Sequence, residues 1–182
     1  MSPAVFLDRD GVLVRSRIID GKAYAVRRLE EFRLLPGAVD SVDILRGAGY
    51  KIVIVTNQPD IGNGLVSLSA VEAMHQRLRR KLNPDWIEMC PHRQDEECAC
   101  RKPKPGMLYA AAARLSLDLS TSVMIGDRWS DIVAGRGAGC YTILVDRGYK
   151  ERLREVPNAV VKNLPAAVRF LARQRGVGGA CE

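Results

Sequence analysis

Nearly uninterrupted apolar runs alternate with amphipathic stretches along the chain. Such runs are typical of strands that a parallel sheet buries on both faces, and the β-branched run KIVIV at 51–55 is the clearest of them. Six strands are predicted, at residues 4–7, 51–55, 86–89, 122–125, 141–145 and 159–161, the last of them at an edge of the sheet.

The stretches between these strands show helical spacing. After Ser67 or Ser69, either of which can cap a helix, four apolar residues with spacings of three, four and four share one face. They are Val71, Met74, Leu78 and Leu82. Helices are predicted from there to residue 82 and at residues 39–46, 105–114, 131–138 and 165–173. Strands that alternate with helices predict an α/β fold, a Rossmann-like parallel sheet flanked by helices with right-handed crossovers.

Composition favours one globular domain. The 182 residues are 47% apolar, which is enough for one core of ordinary size. We predict a single domain over residues 1–175 and a flexible tail at 176–182. The first residues do not resemble a signal sequence, and no apolar run approaches the ~18 residues that span a bilayer. A cytoplasmic protein that does not bind membranes is therefore expected.

Polar residues follow three of the predicted strands. They are Asp8 and Asp10 after the first strand, Thr56 and Asn57 after the second, and Asp127 and Arg128 after the fourth. Ligands bind beyond the carboxyl ends of such strands, so these residues are expected to line one crevice with Lys102. A single aspartate after a strand is more often a turn or cap residue. Several carboxylates in one place repel each other unless a cation or a proton intervenes, and oxygen ligands suit Mg²⁺ beside a phosphate.

A second cluster of chemically active residues lies in the loop at 90–100. Its members, with the spacing C-x-H-x5-C-x-C, are Cys90, His92, Cys98 and Cys100. Three thiolates and one imidazole fill the four positions of a tetrahedral structural Zn²⁺ site. The alternatives are a cluster of reduced cysteines or a disulfide, and a cytoplasmic compartment disfavours the disulfide. The remaining cysteines and histidine are expected in the core (Cys140), in the tail (Cys181) and on a helix surface (His75).

Four short motifs resemble, in order, those of the haloacid dehalogenase (HAD) superfamily phosphatases. They are DRDG at 8–11, TN at 56–57, KP at 102–103 and GDRWSD at 126–131. The resemblance implies an aspartyl-phosphate mechanism in which Asp8 is the nucleophile and Asp10 the general acid and base. It also implies that Thr56 and Lys102 hold the phosphoryl oxygens. The implied Mg²⁺ ligands are Asp8, the backbone carbonyl of Asp10, and Asp127, with Asp131 behind them.

The zinc loop narrows this resemblance. Together with CRKPKPGM at 100–107, it is similar to the loop of D-glycero-D-manno-heptose 1,7-bisphosphate phosphatases and of the related histidinol-phosphate phosphatase domain. This implies hydrolysis of the heptose bisphosphate at its 7-phosphate or, as the alternative, of histidinol phosphate, with Asn57, Arg101 and Arg128 contacting the substrate. The gaps between motifs are too short for a cap domain, so loops 15–28 and 58–65 are expected to set specificity. Val14 and residues 58–65 depart from the group's usual pattern, which leaves the sugar and its anomer open.

The formal net charge of +7 fits either an anionic small substrate or nucleic acid. The basic residues are dispersed and no aromatic side chains interleave them, so nucleic-acid binding is not expected. A signalling receiver domain also uses an acidic cluster, a threonine, a lysine and an aspartyl phosphate, but it needs no zinc loop. A basic zinc module would leave the three strand-end motifs without a role. We therefore predict a monomeric phosphatase whose partner is its small phosphorylated substrate.

Overall fold

A parallel six-stranded sheet is the centre of the computed structural model, which describes residues 1–174. The strands are β1 (Ala4–Leu7), β2 (Arg17–Ile19), β3 (Lys22–Tyr24), β4 (Lys51–Asn57), β5 (Trp86–Cys90), β6 (Val123–Gly126), β7 (Tyr141–Val145) and β8 (Ala159–Val161). The α-helices are α1 (Ala38–Gly47), α2 (Pro59–Gly62), α3 (Leu68–Leu82), α4 (Gly106–Leu115), α5 (Trp129–Gly137) and α6 (Leu164–Gln174). The sheet has the order β5-β4-β1-β6-β7-β8, and β2 and β3 form a separate antiparallel hairpin.

The strand order reverses at β1. From β1 the chain builds β4 and β5 on one side, then crosses to build β6, β7 and β8 on the other. In parallel sheets such a reversal opens a crevice beyond the carboxyl ends of the two strands that diverge. Leu7 pairs with Ile54 on β4 and with Ile125 on β6, so the residues that follow these three positions are neighbours at the mouth of that crevice.

Both faces of the sheet are covered, because successive side chains of a strand point to opposite faces. Val5 and Leu7 of β1 pack on one face with apolar residues of α1, α3 and α6. Ala4 and Phe6 pack on the other face with residues of α4 and α5. This two-sided burial is the reason why the sheet strands are apolar almost throughout.

The predicted α/β fold is confirmed. Each predicted strand and helix is present, with ends within two residues of the prediction. Ser67 caps α3 by accepting a hydrogen bond from the Ala70 N–H. The β2–β3 hairpin and the short helix α2 were not predicted. Within residues 1–174 neither gap between the motifs holds a cap domain, because one gap contains the hairpin and α1, and the other contains α2, α3 and β5.

One prediction about the core is wrong. His75 was expected on a helix surface, but only 1% of it is exposed. The reason is that position 75 follows Val71 by four residues and precedes Leu78 by three, which puts it on the same buried stripe. The predicted tail and Cys181 lie outside the described residues. None of the helices in residues 1–174 is long and apolar enough to cross a bilayer.

Candidate active site

A cleft of about 510 Å³ opens at the carboxyl ends of β1, β4 and β6. All eight residues predicted for substrate chemistry line it, namely Asp8, Asp10, Thr56, Asn57, Arg101, Lys102, Asp127 and Arg128. The β2–β3 hairpin contributes Ala23 and Tyr24, and the segment after β7 contributes Lys150 and Glu151. The cleft therefore brings together residues as far apart in the sequence as Asp8 and Arg128, as the position of the strand ends predicted.

The turn after β1 brings the two acidic strand ends close together. Asp8 continues the ladder by donating its backbone N–H to the Ile125 carbonyl at 3.0 Å. Gly11 then has a φ of +87°, a conformation that residues with a side chain rarely adopt. A Cβ atom at Gly11 would lie 1.7 Å from Oδ2 of Asp127. Glycine is therefore required here both by the turn and by the close approach of Asp127.

Lys102 is the central buried cation of the cleft. Its Nζ donates to Oδ1 of Asp8 at 2.9 Å and to the Val55 carbonyl at 2.8 Å, and it lies 2.7 Å from Oδ1 of Asp131. Burial alone would lower the pKa of Lys102, but Asp131 and Asp8 outweigh burial and raise it. The lysine is therefore charged at every physiological pH.

The two oxygens of Asp10 have different surroundings. Oδ2 accepts a hydrogen bond from Nε of Arg9 at 2.9 Å and another from Nε2 of Gln58 at 2.9 Å. Oδ1 is buried and has no hydrogen-bond partner among the described residues. The same Gln58 amide also donates to Oγ1 of Thr56 at 2.8 Å, which leaves the threonine hydroxyl hydrogen available to a ligand.

The acidic side chains carry more negative charge than Lys102 neutralises. Burial raises the pKa of Asp8 to about 6, and repulsion from Asp131 and Asp10 adds to the shift although Lys102 opposes it. The pKa of Asp127 lies well above its usual value, first because of burial and then because of Asp8 and Asp131. Such shifts mean that ionising these carboxyls without a compensating cation costs free energy.

Three of these carboxylates could hold a divalent cation. Oxygens of Asp8, Asp127 and Asp131 lie within 4.8 Å of one another. Asp131 is already engaged, since its Oδ1 contacts Lys102 and its Oδ2 accepts the backbone N–H of Arg128 at 2.9 Å. Neither oxygen of Asp127 accepts a well-aligned hydrogen bond from the described residues, although the Tyr149 hydroxyl lies beside it. The donor set suits a hard cation such as Mg²⁺.

The cysteine and histidine side chains of loop 90–100 converge as predicted. Sγ of Cys90 lies 3.6 Å from Sγ of Cys98 and 3.5 Å from Nδ1 of His92, which in turn lies 3.2 Å from Sγ of Cys100. A tetrahedral zinc site with metal–sulfur bonds of about 2.3 Å has sulfur–sulfur edges of about 3.8 Å. The cluster therefore has nearly the size that Zn²⁺ requires, and the cysteines are free thiols rather than a disulfide.

The three residues predicted to contact substrate differ in how many hydrogen bonds and ion pairs they already form within the protein. Nη1 of Arg101 is buried and has no hydrogen-bond partner among the described residues. Arg128 forms an ion pair with Glu151 and donates to the Ala23 carbonyl at 3.5 Å. Asn57 exchanges two hydrogen bonds with the backbone of Lys102, at 3.0 and 3.1 Å. Its amide is thus taken up in holding the loop that carries the lysine.

Sequence reasoning missed three residues that support Asp10. Arg9 and Gln58 contact it directly, and His75 contacts Arg9 at 3.3 Å. Arg9 lies between two aspartates, where an arginine normally suggests a solvated charge, yet it is completely buried. The only signal for His75 was its position on the apolar stripe of α3.

Comparison with known proteins also indicates a HAD phosphatase, over most of the chain. The HAD-hydrolase-like family model matches residues 99–167. The chain is 40% identical over 156 residues to D-glycero-beta-D-manno-heptose-1,7-bisphosphate 7-phosphatase of Pseudomonas putida, which covers 83% of this chain and 86% of the relative. It is 36% identical over 192 residues to D-glycero-D-manno-heptose-1,7-bisphosphate 7-phosphatase of Thermosynechococcus vestitus, covering 93% and 95%.

Solved structures agree with the sequence relatives. D,D-heptose 1,7-bisphosphate phosphatase of Bordetella bronchiseptica, complexed with magnesium and phosphate, is similar with a TM-score of 0.82 and 33% identity, covering 94% of this chain and 99% of that one. The corresponding phosphatase of Burkholderia thailandensis gives a TM-score of 0.65 and 26% identity, covering 93% and 99%. The likeness thus extends over more than nine tenths of this chain.

Proposed function

The chain belongs to the D-glycero-D-manno-heptose-1,7-bisphosphate 7-phosphatase family of HAD phosphatases, and we propose that it hydrolyses the 7-phosphate of this sugar bisphosphate through an aspartyl phosphate on Asp8. One observation carries the proposal. Asp8, held by Lys102, shares a single strand-end cleft with Asp10, whose Oδ1 is left without a partner. A nucleophile, a charged anchor and a free acid and base are thus side by side.

In the first half-reaction, a carboxylate oxygen of Asp8 attacks phosphorus while the bond from phosphorus to the sugar oxygen breaks. Asp10 gives its proton to the departing oxygen, which leaves as an alcohol. The ammonium of Lys102 and the hydroxyl of Thr56 hold the equatorial phosphoryl oxygens, on which negative charge is spread during transfer. Lys102 also keeps the Asp8 carboxylate in place for the attack.

In the second half-reaction, water attacks the phosphorus of the aspartyl phosphate. Asp10, now a carboxylate, accepts the proton of that water, and the bond from phosphorus to the Asp8 oxygen breaks. Inorganic phosphate is released, Asp8 is again a carboxylate, and Asp10 is again protonated. Oδ1 is the oxygen of Asp10 that can serve both steps, because Oδ2 is occupied by Arg9 and Gln58.

Two metal ions fit this chain. Asp8 and Asp127, with the backbone carbonyl of Asp10, would hold Mg²⁺, and Asp131 would remain paired with Lys102. When bound, Mg²⁺ offsets the repulsion between these carboxylates and the phosphate dianion. The thiolates of Cys90, Cys98 and Cys100 with His92 would hold Zn²⁺ as a structural ion, because the ligand atoms of these four residues all lie within 4.8 Å of one another. Its role would be to stiffen the loop that ends at the two cleft cations.

Arg101 is the residue we expect to bind the second phosphate or another anionic part of the substrate. Its buried Nη1 has no hydrogen-bond partner within residues 1–174, and a charge-assisted hydrogen bond is worth about 2 kcal/mol. Arg101→Ala should therefore lower kcat/KM for the sugar bisphosphate about thirtyfold, mainly through KM. Steady-state phosphate release measures the effect. Arg93→Ala is the matched control, since Arg93 lies in the same loop with its charge on Asp95, and equal losses in both variants would refute the assignment.

The substrate itself is tested by phosphate release with Mg²⁺ from heptose 1,7-bisphosphate, both anomers, beside histidinol phosphate. We expect the heptose bisphosphate to be hydrolysed with the highest kcat/KM, with one anomer preferred. If histidinol phosphate were the better substrate, the chemistry would stand and the substrate assignment would fail. If none were hydrolysed, the proposed function would fall. A monomeric state and a cytoplasmic location stay predictions, and sedimentation of the purified protein tests the first.

A further inference from the structure

Arg9 is a completely buried cation directly beside the acid and base of the reaction. Its Nε donates to Oδ2 of Asp10 at 2.9 Å, and its Nη2 lies 2.8 Å from the same oxygen as an ion pair without a well-aligned hydrogen bond. Its guanidinium carbon lies 5.9 Å from the centre of the Phe32 ring. A guanidinium can only donate hydrogen bonds. The remaining nitrogen, Nη1, therefore needs an acceptor inside the core, because an unpaired buried donor is costly.

His75 of α3 supplies that acceptor. Its Nε2 lies 3.3 Å from Nη1 of Arg9, and its Nδ1 lies 3.5 Å from a carboxylate oxygen of Glu72. Because the Arg9 guanidinium cannot accept a hydrogen bond, Nε2 of His75 must accept one through its lone pair. Nδ1 of His75 then carries the hydrogen and donates it towards Glu72. Burial and the neighbouring Arg9 lower the pKa of His75 to about 4, which is consistent with this neutral form.

We propose that His75 is a positioning residue of the phosphatase reaction, which acts by holding Arg9 against Oδ2 of Asp10 so that proton transfer runs through Oδ1. The inference rests on the proposed role of Asp10 as acid and base. A carboxyl whose Oδ2 accepts bonds from Arg9 and Gln58 has no room for a proton there. The proton is therefore confined to Oδ1, which has no hydrogen-bond partner among the described residues, in a side chain that lines the cleft.

The position of the proton on Asp10 matters because a proton is transferred only over a short distance. A general acid must lie within hydrogen-bond reach of the oxygen that it protonates. If Arg9 turned away from Asp10, the carboxyl could rotate about its terminal torsion, which is a broad and weakly restricted one. The proton would then spend part of its time on the wrong oxygen. Substrate binding does not depend on this choice, but turnover does.

Replacing His75 tests the proposal. His75→Gln keeps an acceptor oxygen for Arg9, whereas His75→Leu and His75→Met remove it and fill a similar space. We expect the Leu and Met variants to lose about tenfold in kcat for the sugar bisphosphate, the size typical for a supporting residue behind a catalytic group, with KM unchanged. The Gln variant should recover most of that loss. Val71→Ala, equally buried one turn earlier on α3, is the control for loss of packing.

The outcomes separate this proposal from the function on which it rests. A wild-type protein that releases no phosphate from any substrate contradicts the proposed function itself. With an active wild type, the positioning role is overturned if the Gln variant is no better than the Leu and Met variants. It is also overturned if Val71→Ala loses as much kcat at an equal loss of thermal stability, or if KM changes and kcat does not. If the Gln variant folds and the Leu and Met variants do not, the acceptor at position 75 serves folding rather than turnover, and the proposal fails.

Discussion

Asp8→Asn should give a folded protein that releases no measurable phosphate from the sugar bisphosphate. An amide is a far weaker nucleophile than a carboxylate and cannot form the acyl phosphate, so kcat should fall by a factor on the order of 10⁴ or more. The fold should survive, because Lys102 keeps Asp131 and the Val55 carbonyl as partners. Phosphate release and thermal unfolding, measured on the same preparation, check both parts.

The electrostatics of the site give the direction of the stability change. The pKa of Asp8 is raised to about 6, first by burial, above its usual value of about 4. A carboxyl whose pKa is raised in the folded state contributes most to stability at pH values below the pKa that it has in the unfolded chain. That contribution is lost as the pH rises through the folded-state pKa of about 6. Near pH 7 and without added metal, the Asp8→Asn variant should therefore unfold at the same temperature as the wild type or a higher one.

Asp131→Asn is the matched control for this experiment. Asp131 is also buried and also pairs with Lys102, at 2.7 Å, but it is not the proposed nucleophile. We expect this variant to be slower, because Lys102 is held less firmly, yet to keep measurable turnover. Wild-type activity in the Asp8→Asn variant, or equal inactivity of both variants, would contradict the assignment of the nucleophile.

Loss of the zinc ion should have the largest effect on stability. Purified protein should contain about one zinc per chain, and Cys98→Ser should remove it and lower the free energy of unfolding by several kcal/mol, because metal binding free energy is folding free energy. Phosphatase activity with saturating Mg²⁺ should fall as well, since the loop at 90–100 runs directly into Arg101 and Lys102. Metal analysis, thermal unfolding and phosphate release measure the three effects.

Cys140→Ser provides the comparison for the zinc experiment. Cys140 is likewise a free cysteine, and burial raises the pKa of its thiol to about 12, but it does not belong to the four-residue cluster. Its variant should keep the zinc and nearly all activity. A fully stable and active protein that contains no zinc would refute the structural role of the metal.

The order of elements and most residues of the cleft could be predicted from the sequence. Asp8, Thr56 and Asp127 each follow an apolar strand, and the rule for ligand sites in parallel sheets brings such strand ends together whatever the details of packing. The cysteine and histidine cluster could also be predicted from the sequence, because its four members lie within the eleven positions from Cys90 to Cys100.

The hairpin β2–β3 and helix α2 were not predicted because they are short and contain no buried residue. Each strand of the hairpin has three residues, and none of the residues is buried. The four residues of α2 likewise contain no buried position. An element of this length has too few residues to show a hydrophobic period, although the hairpin contributes Ala23 and Tyr24 to the rim of the cleft.

Only the tertiary structure decides which groups are the hydrogen-bond partners of the buried polar side chains. The sequence by itself determined that this chain forms an α/β sheet with carboxylates and a lysine at one edge, and that three cysteines and a histidine cluster in the neighbouring loop. It did not determine that Arg9 is buried, that it meets His75 from 66 positions away, or that Oδ1 rather than Oδ2 of Asp10 is left free. Apolar periodicity is a local signal that one segment carries alone, whereas a hydrogen bond between distant segments exists only once packing has excluded water and removed every other partner.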